Sequence, residues 1–286
     1  MDPETRQQAI ALYDRFTHEG MERRAFMAEM AKIAGGVAAA ELLVAGIAAS
    51  PATAAIVPPD DNRLTTRTQT LAGGYKAYVA EPRTRSLKAT VVVIHENRGL
   101  NDHIRDVARR LAVAGYRAVA PDMLSPSGGT PANEDAARDA IGKLDLGKSV
   151  ADAVAIVTEL KGSSRGGKVG VVGFCWGGAF VNRLAVASGK ELAAAVAYYG
   201  PAPAPSEAPR VEVPLLIHDA GLDERVNATS FPWVEALRAA RKPVDLYVYE
   251  GVNHAFNNDT SAERYNKAAA DLAWKRTLAF FKKYLG

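Results

Sequence analysis

The stretch KVGVVGFCWGG, Lys168 to Gly178, decides the fold. Its β-branched run suits a buried strand and leads into Gly-Phe-Cys-Trp-Gly-Gly, where glycines flank one residue able to act as a nucleophile. That pattern is a strand turning sharply into a helix with the nucleophile at the bend. The position holds Cys175, the only cysteine of the chain. A thiol at a helix N-terminus meets the positive end of the helix dipole, which favours the thiolate. The plainer reading, a small buried hydrophobe, leaves both flanking glycines without a purpose.

Working outward, the elbow sits inside an alternation of strands and helices. LTTRTQTLAGGYKAYVAEP (64–82) reads as two strands around Gly73-Gly74, and ATVVVIH (89–95) as a strand buried on both faces. DHIRDVARRLAVAG carries Ile104, Val107, Ala108 and Leu111 at helical spacing and stops at Gly115. YRAVAPD, LAAAVAYYG, VPLLIHD and PVDLYVYE read as further strands. Helices are expected up to Gly162, over Trp176–Ser188, over Phe231–Arg241, and at the C-terminus with Trp274, Leu278, Phe281 and Leu285 on one face. The alternation predicts an α/β protein with a mostly parallel central sheet and helices on both faces. With the elbow, it defines the α/β-hydrolase fold as one domain over residues 58–286.

Residues 1–57 form an N-terminal extension. Arg23 and Arg24 precede the apolar run IAGGVAAAELLVAGIAAS, and SPATAA follows with small residues, the order of a twin-arginine export signal. Such a signal implies the export machinery as a partner and a periplasmic or secreted location; without it the location is cytoplasmic. An amphipathic helix packed on the domain is the other reading. Glu41 inside the apolar run argues against a stable membrane anchor. Ahead of it, Asp2, Pro3 and Gly20 are helix start and stop signals, with Ala9, Ile10, Tyr13 and Phe16 as an apolar stripe. Neither export nor catalysis explains residues 1–20.

A nucleophile of this class needs a base, and the base an orienting acid, in the chain order nucleophile, acid, histidine. Of the histidines after Cys175, His218 lies within a strand pattern, whereas His254 sits in the polar loop EGVNHAF at a strand's carboxyl end. His254 is therefore the base. The acid is Asp223 in the loop HDAGLDERV, with Asp219 at the strand end as the alternative. The loop HENRGL after the first core strand places the N–H of Asn97, with that of Trp176, as oxyanion donors. Glu96 in that loop either pairs with Arg98 or serves the site. Tyr198, Tyr199, Trp176 and Phe256 stand near strand ends, as pocket lining or as core.

The elbow GFCWGG, the loop HENRGL, GLD and NHAF, in that order, resemble the dienelactone hydrolase family, from about residue 64 to the end. The resemblance implies a Cys175–Asp223–His254 triad, and a Glu96 that contacts the resting thiol and helps to form the thiolate. It implies hydrolysis of a carboxylic ester or lactone, the carboxymethylenebutenolidase type, through an acyl-enzyme without metal or cofactor. One position departs. Family members acting on carboxylate-bearing lactones carry an arginine four residues after the triad histidine, where this chain has Asn258. Arg98, Arg138 and Arg264 are the candidate replacements, and Arg98, Tyr199 and Phe256 the candidate substrate contacts.

Composition narrows the alternatives. A net charge of +3 and no basic tract interleaved with aromatics speak against nucleic acid. One cysteine excludes an internal disulfide or a disulfide cycle within the chain. A thioesterase or broad-range esterase on the same fold, or a periplasmic binding protein with a degenerate site, remain as rival functions.

Overall fold

The computed structural model describes residues 2–48, 55–83, 87, 89–163 and 167–286. The SPATAA segment, apart from Ala55, lies outside them.

Eight strands form one sheet in the order β1-β2-β4-β3-β5-β6-β7-β8. They are β1 (Leu64–Thr70), β2 (Lys76–Pro82), β3 (Thr90–Ile94), β4 (Arg117–Pro121), β5 (Val169–Phe174), β6 (Ala194–Tyr198), β7 (Leu215–Ala220) and β8 (Val244–Tyr249). The hairpin β1–β2 and the β2–β4 pair are antiparallel, and every other pairing is parallel. The buried runs of β3 and β5, apolar but for Thr90, occupy the centre, where both faces are covered.

Helices α4 (Asp102–Val113) and α9 (Lys267–Leu285) cover one face, sharing a core with Val91, Val93 and Val172. On the other face, α6 (Leu146–Gly162), α7 (Trp176–Ala187) and α8 (Glu224–Ala239) pack on Val92, Val171 and Ile217. A short α5 (Glu134–Gly142) follows β4. Helix α8 begins seven residues before the expected Phe231, because Asp223 caps it: its Oδ1 accepts the Val226 N–H at 3.1 Å. On α9, Trp274 and Leu278 are only partly buried, and the packed face runs through Ala273, Thr277 and Phe281.

The N-terminal segment folds into α1 (Pro3–His18), α2 (Arg23–Ala34) and α3 (Val37–Ile47). Asp2 caps α1 as its sequence signals require, accepting the Thr5 N–H at 2.9 Å. The apolar run expected as one segment is broken at Gly35-Gly36, both at positive φ, and α2 and α3 meet at a bend of 104°. Among the described residues, no single helix is long and apolar enough to cross a membrane. Ile10, Tyr13, Phe16, Phe26, Met30 and Ile47 form a small core of their own, and α1 lies across the carboxyl ends of the sheet.

Candidate active site

Parallel strands deliver their loops to one end of the sheet, and the candidate residues gather there. Cys175 follows β5 with φ 55° and ψ −114°, a conformation a non-glycine residue holds only at a cost of about 1–3 kcal/mol. The close approach of α7 to β3 forces it. A Cβ on Gly177 would stand 2.5 Å from the Ile94 carbonyl oxygen, so only glycine fits there. The strained turn lifts the thiol clear of the sheet at the head of α7, where the first N–H groups, Trp176's among them, have no intrahelical acceptor.

His254 follows β8 and is 2 % exposed. Its Nδ1 donates to Asp223 Oδ2 at 2.5 Å, which leaves Nε2 to face the thiol. Asp223 thus uses one oxygen to start α8 and the other to orient the histidine. Burial works against charge on His254, but the facing Cys175 and Asp223 outweigh it and push the imidazole up to about 10. Asp223 is correspondingly held below the usual carboxylate range despite its burial.

The rival residues have other partners. His218 is fully buried between Thr277 Oγ1 at 3.1 Å and the Tyr249 hydroxyl at 3.0 Å, and burial pushes it down to about 3. Asp219 accepts from Ser230 Oγ at 2.5 Å, away from His254, and burial raises it to about 7.

Glu96 does not pair with Arg98. Its Oε2 accepts from Asn258 Nδ2 at 2.7 Å, and its Oε1 faces the Tyr199 hydroxyl at 3.4 Å. Arg98 instead binds Glu134 and the Tyr13 hydroxyl. Asn258, the departure from the family pattern, is therefore a donor to Glu96. His95 fixes the same loop: its Nδ1 meets the Glu96 carbonyl at 2.7 Å and its Nε2 accepts the Met123 N–H at 3.1 Å. Phe256, expected as a substrate contact, is fully buried against Tyr199 and Tyr249. In this structure it is part of the core cluster and lines neither hollow at Cys175. Tyr198 is core as well, bonded to Thr277.

Two hollows meet at Cys175. A small one of about 20 Å³ includes Glu96, Asn97, Arg98, His254, Asn258 and Arg264 in its wall. A larger one of about 240 Å³ is bounded by Asn97, Arg138, Ile141, Trp176, Pro201 and Arg225. Of its two arginines, Arg138 already pairs with Asp135 and Asp139. Arg225, at the start of α8, is the cation that sequence reading missed. Thr17 and His18 of α1 wall both hollows, and nothing in the sequence around them signals it. Cysteine sulfur and imidazole nitrogen both bind transition metals, and the donor atoms of His18, Cys175 and His254 lie within 4.8 Å of one another.

A nucleophile elbow, a buried His–Asp pair and a hollow at the strand ends define an α/β-hydrolase. Within that class, residues 75–285 match the dienelactone hydrolase family, and the chain belongs to it. A protein of Escherichia coli O157:H7 provisionally named a carboxymethylenebutenolidase is 32 % identical over 260 residues, covering 84 % of this chain and 94 % of that one. A Saccharolobus solfataricus protein with the same provisional name is 30 % identical over 246 residues, covering 73 % and 93 %. A provisionally named dienelactone hydrolase from Klebsiella pneumoniae has a crystal structure that superposes with a TM-score of 0.70 at 28 % identity, covering 78 % of this chain and all of the other. The protein is a dienelactone hydrolase-like hydrolase.

Proposed function

We propose that this hydrolase cleaves carboxylic esters or lactones through a thioester on Cys175. The observation that carries the reading is the strained Cys175 facing a buried His254 that Asp223 holds at 2.5 Å. The thiolate attacks the carbonyl carbon while the Asn97 and Trp176 N–H groups receive the developing oxyanion. The imidazolium gives its proton to the leaving oxygen as the carbon–oxygen bond breaks; in a lactone that oxygen stays tethered to the acyl group.

Acylation also resets the base. The charge of Cys175 helps to hold the His254 proton, and a thioester carries no such charge. His254 can then take a proton from water, the hydroxide attacks the acyl carbon, and the thiolate leaves. Glu96, held by Asn258 and Tyr199, lines the same small hollow as Cys175, and the family resemblance gives it a part in forming the thiolate once substrate binds.

A substrate carboxylate has no arginine at position 258. In the larger hollow, Arg225 is the cation placed to replace it. The test is turnover of paired esters and lactones, with and without a free carboxylate, read with intact-protein mass. An acyl mass on Cys175 with steady product is expected, and Cys175→Ala should lower turnover by about 10³-fold or more. Undiminished turnover in that variant would remove Cys175 from the reaction. Arg225→Ala should raise KM only for the carboxylate-bearing members; an equal effect on both would remove its role.

A further inference from the structure

The segment that neither catalysis nor export explains reaches the reactive sulfur. His18, the last residue of α1, places Nε2 3.9 Å from Cys175 Sγ, within reach for a hydrogen bond to sulfur. Its ring stands edge-on to His254, with centroids 5.0 Å apart at 69°. The helix is fastened where it lies. Arg6 binds Glu263 at 2.6 Å, Gln7 Nε2 donates to Asn253 Oδ1 at 2.8 Å, and Arg98 donates to the Tyr13 hydroxyl. Arg264 reaches the Ile47 carbonyl at 3.1 Å and Asp14 at 3.4 Å, and its guanidinium lies over the Tyr13 ring. Ser261 Oγ donates to the same Ile47 carbonyl at 2.6 Å. Two of these anchors, Asn253 and Tyr13, are next to His254 in the chain or on the turn of α1 before His18.

We propose that His18 is a positioning residue for Cys175, donating Nε2–H to the thiolate, and that residues Pro3–Ile47 are kept in the working enzyme as the roof of its active site. The inference rests on the reading of Cys175 as nucleophile and adds a group from outside the hydrolase domain. A thiolate partnered by His254 alone loses that partner when the imidazolium gives up its proton. A second donor holds Sγ in the attacking orientation through that step and again as the thiolate re-forms. A neutral ring suits the place. Burial first, and then the positive charges of His254, Arg225, Arg264 and Arg98, hold the His18 imidazole well below its usual range, so the ring is neutral and keeps one N–H to donate. Thr17 and His18 also close the hollows over the thiol, so removing the segment would open the acyl site to solvent.

The experiment compares full-length wild type, His18→Ala and His18→Gln, each checked for folding by circular dichroism and melting temperature. Alkylation of Cys175 by iodoacetamide is followed against pH, and kcat and KM are measured on an activated ester. A hydrogen bond to a charged acceptor predicts a loss in kcat of about 10-fold or more in His18→Ala, with KM changed less, and an alkylation midpoint moved to higher pH. His18→Gln, whose amide N–H reaches the same side, should recover much of both. An alkylation profile in His18→Ala that superposes on wild type, with kcat unchanged or raised, would overturn the proposal. So would full activity in protein whose mass shows that residues up to 47 have been removed. Alkylation needs no substrate. A midpoint that moves in His18→Ala while no ester is turned over would support the positioning role and reject the hydrolase reading instead.

Discussion

Asn258 and Glu96 show how one substitution changes the meaning of a site. Asn258 Nδ2 takes one carboxylate oxygen of Glu96 at 2.7 Å, and both side chains are buried. Deleting the donor leaves a buried charge short of a partner, which typically costs about 1–3 kcal/mol. Asn258→Ala should therefore lower the urea midpoint by an amount matching about 1–3 kcal/mol, and Asn258→Gln should recover part of it. An Asn258→Ala midpoint equal to wild type would mean that the bond to Glu96 is not what Asn258 serves. Glu96 itself was legible in the sequence as an acid at a strand's carboxyl end. Its partner was not, because Asn258 lies 162 positions away and the pairing exists only once two loops meet at the sheet end.

At the scale of elements, local patterns were enough to find the central strands, the elbow and the covering helices. β3 is an unbroken β-branched run, β5 alternates valines with Gly170 and Gly173, and the glycines around Cys175 have one geometry that uses them. Gly177→Ala would set a methyl 2.5 Å from the Ile94 oxygen, so α7 must shift or the strand must yield. Melting should fall by an amount matching about 2 kcal/mol or more, with loss of thiol reactivity; a variant with wild-type melting and alkylation would remove the close approach as the reason for that glycine. The early start of α8 was missed because Asp223 reads equally well as loop acid and as helix cap, and it is both. Asp219, four residues earlier on β7, allows a pH test. Burial pushes its folded value up to about 7, above the ordinary carboxyl value of 3.8. The unfolded chain therefore loses this proton first, and stability is full below about 4 and falls as pH rises to about 7, by on the order of 4 kcal/mol. Asp219→Asn cannot ionise. Its melting temperature relative to wild type should climb between pH 4 and pH 8, and a constant offset would mean that Asp219 is not held protonated.

The whole molecule is a hydrolase domain with a helical segment folded back over its working end, and here sequence reasoning reached its limit. Paired arginines, an apolar run and small residues are a composition pattern, and the same residues also satisfy a packed three-helix unit. Gly35-Gly36 splits the run, Glu41 stays exposed, and Ile10, Tyr13, Phe26 and Met30 bury one another. No local signal states where such a unit docks; that depends on side chains more than 200 positions apart, such as Ser261 with the Ile47 carbonyl. Arg264 is the shared fastening, touching Asp14, the Tyr13 ring and Ile47 at once. If the segment is held by these contacts, Arg264→Ala should loosen α1 and α3 while the sheet stays closed, since local opening follows the contacts that hold each unit. Hydrogen exchange resolved by peptide should show faster exchange over 9–16 and 40–47, with β3 and β5 unchanged. Unaltered exchange over α1 would place the docking energy in the apolar contacts instead. Faster exchange across β3 and β5 as well as α1 would contradict the separation of roof and domain altogether.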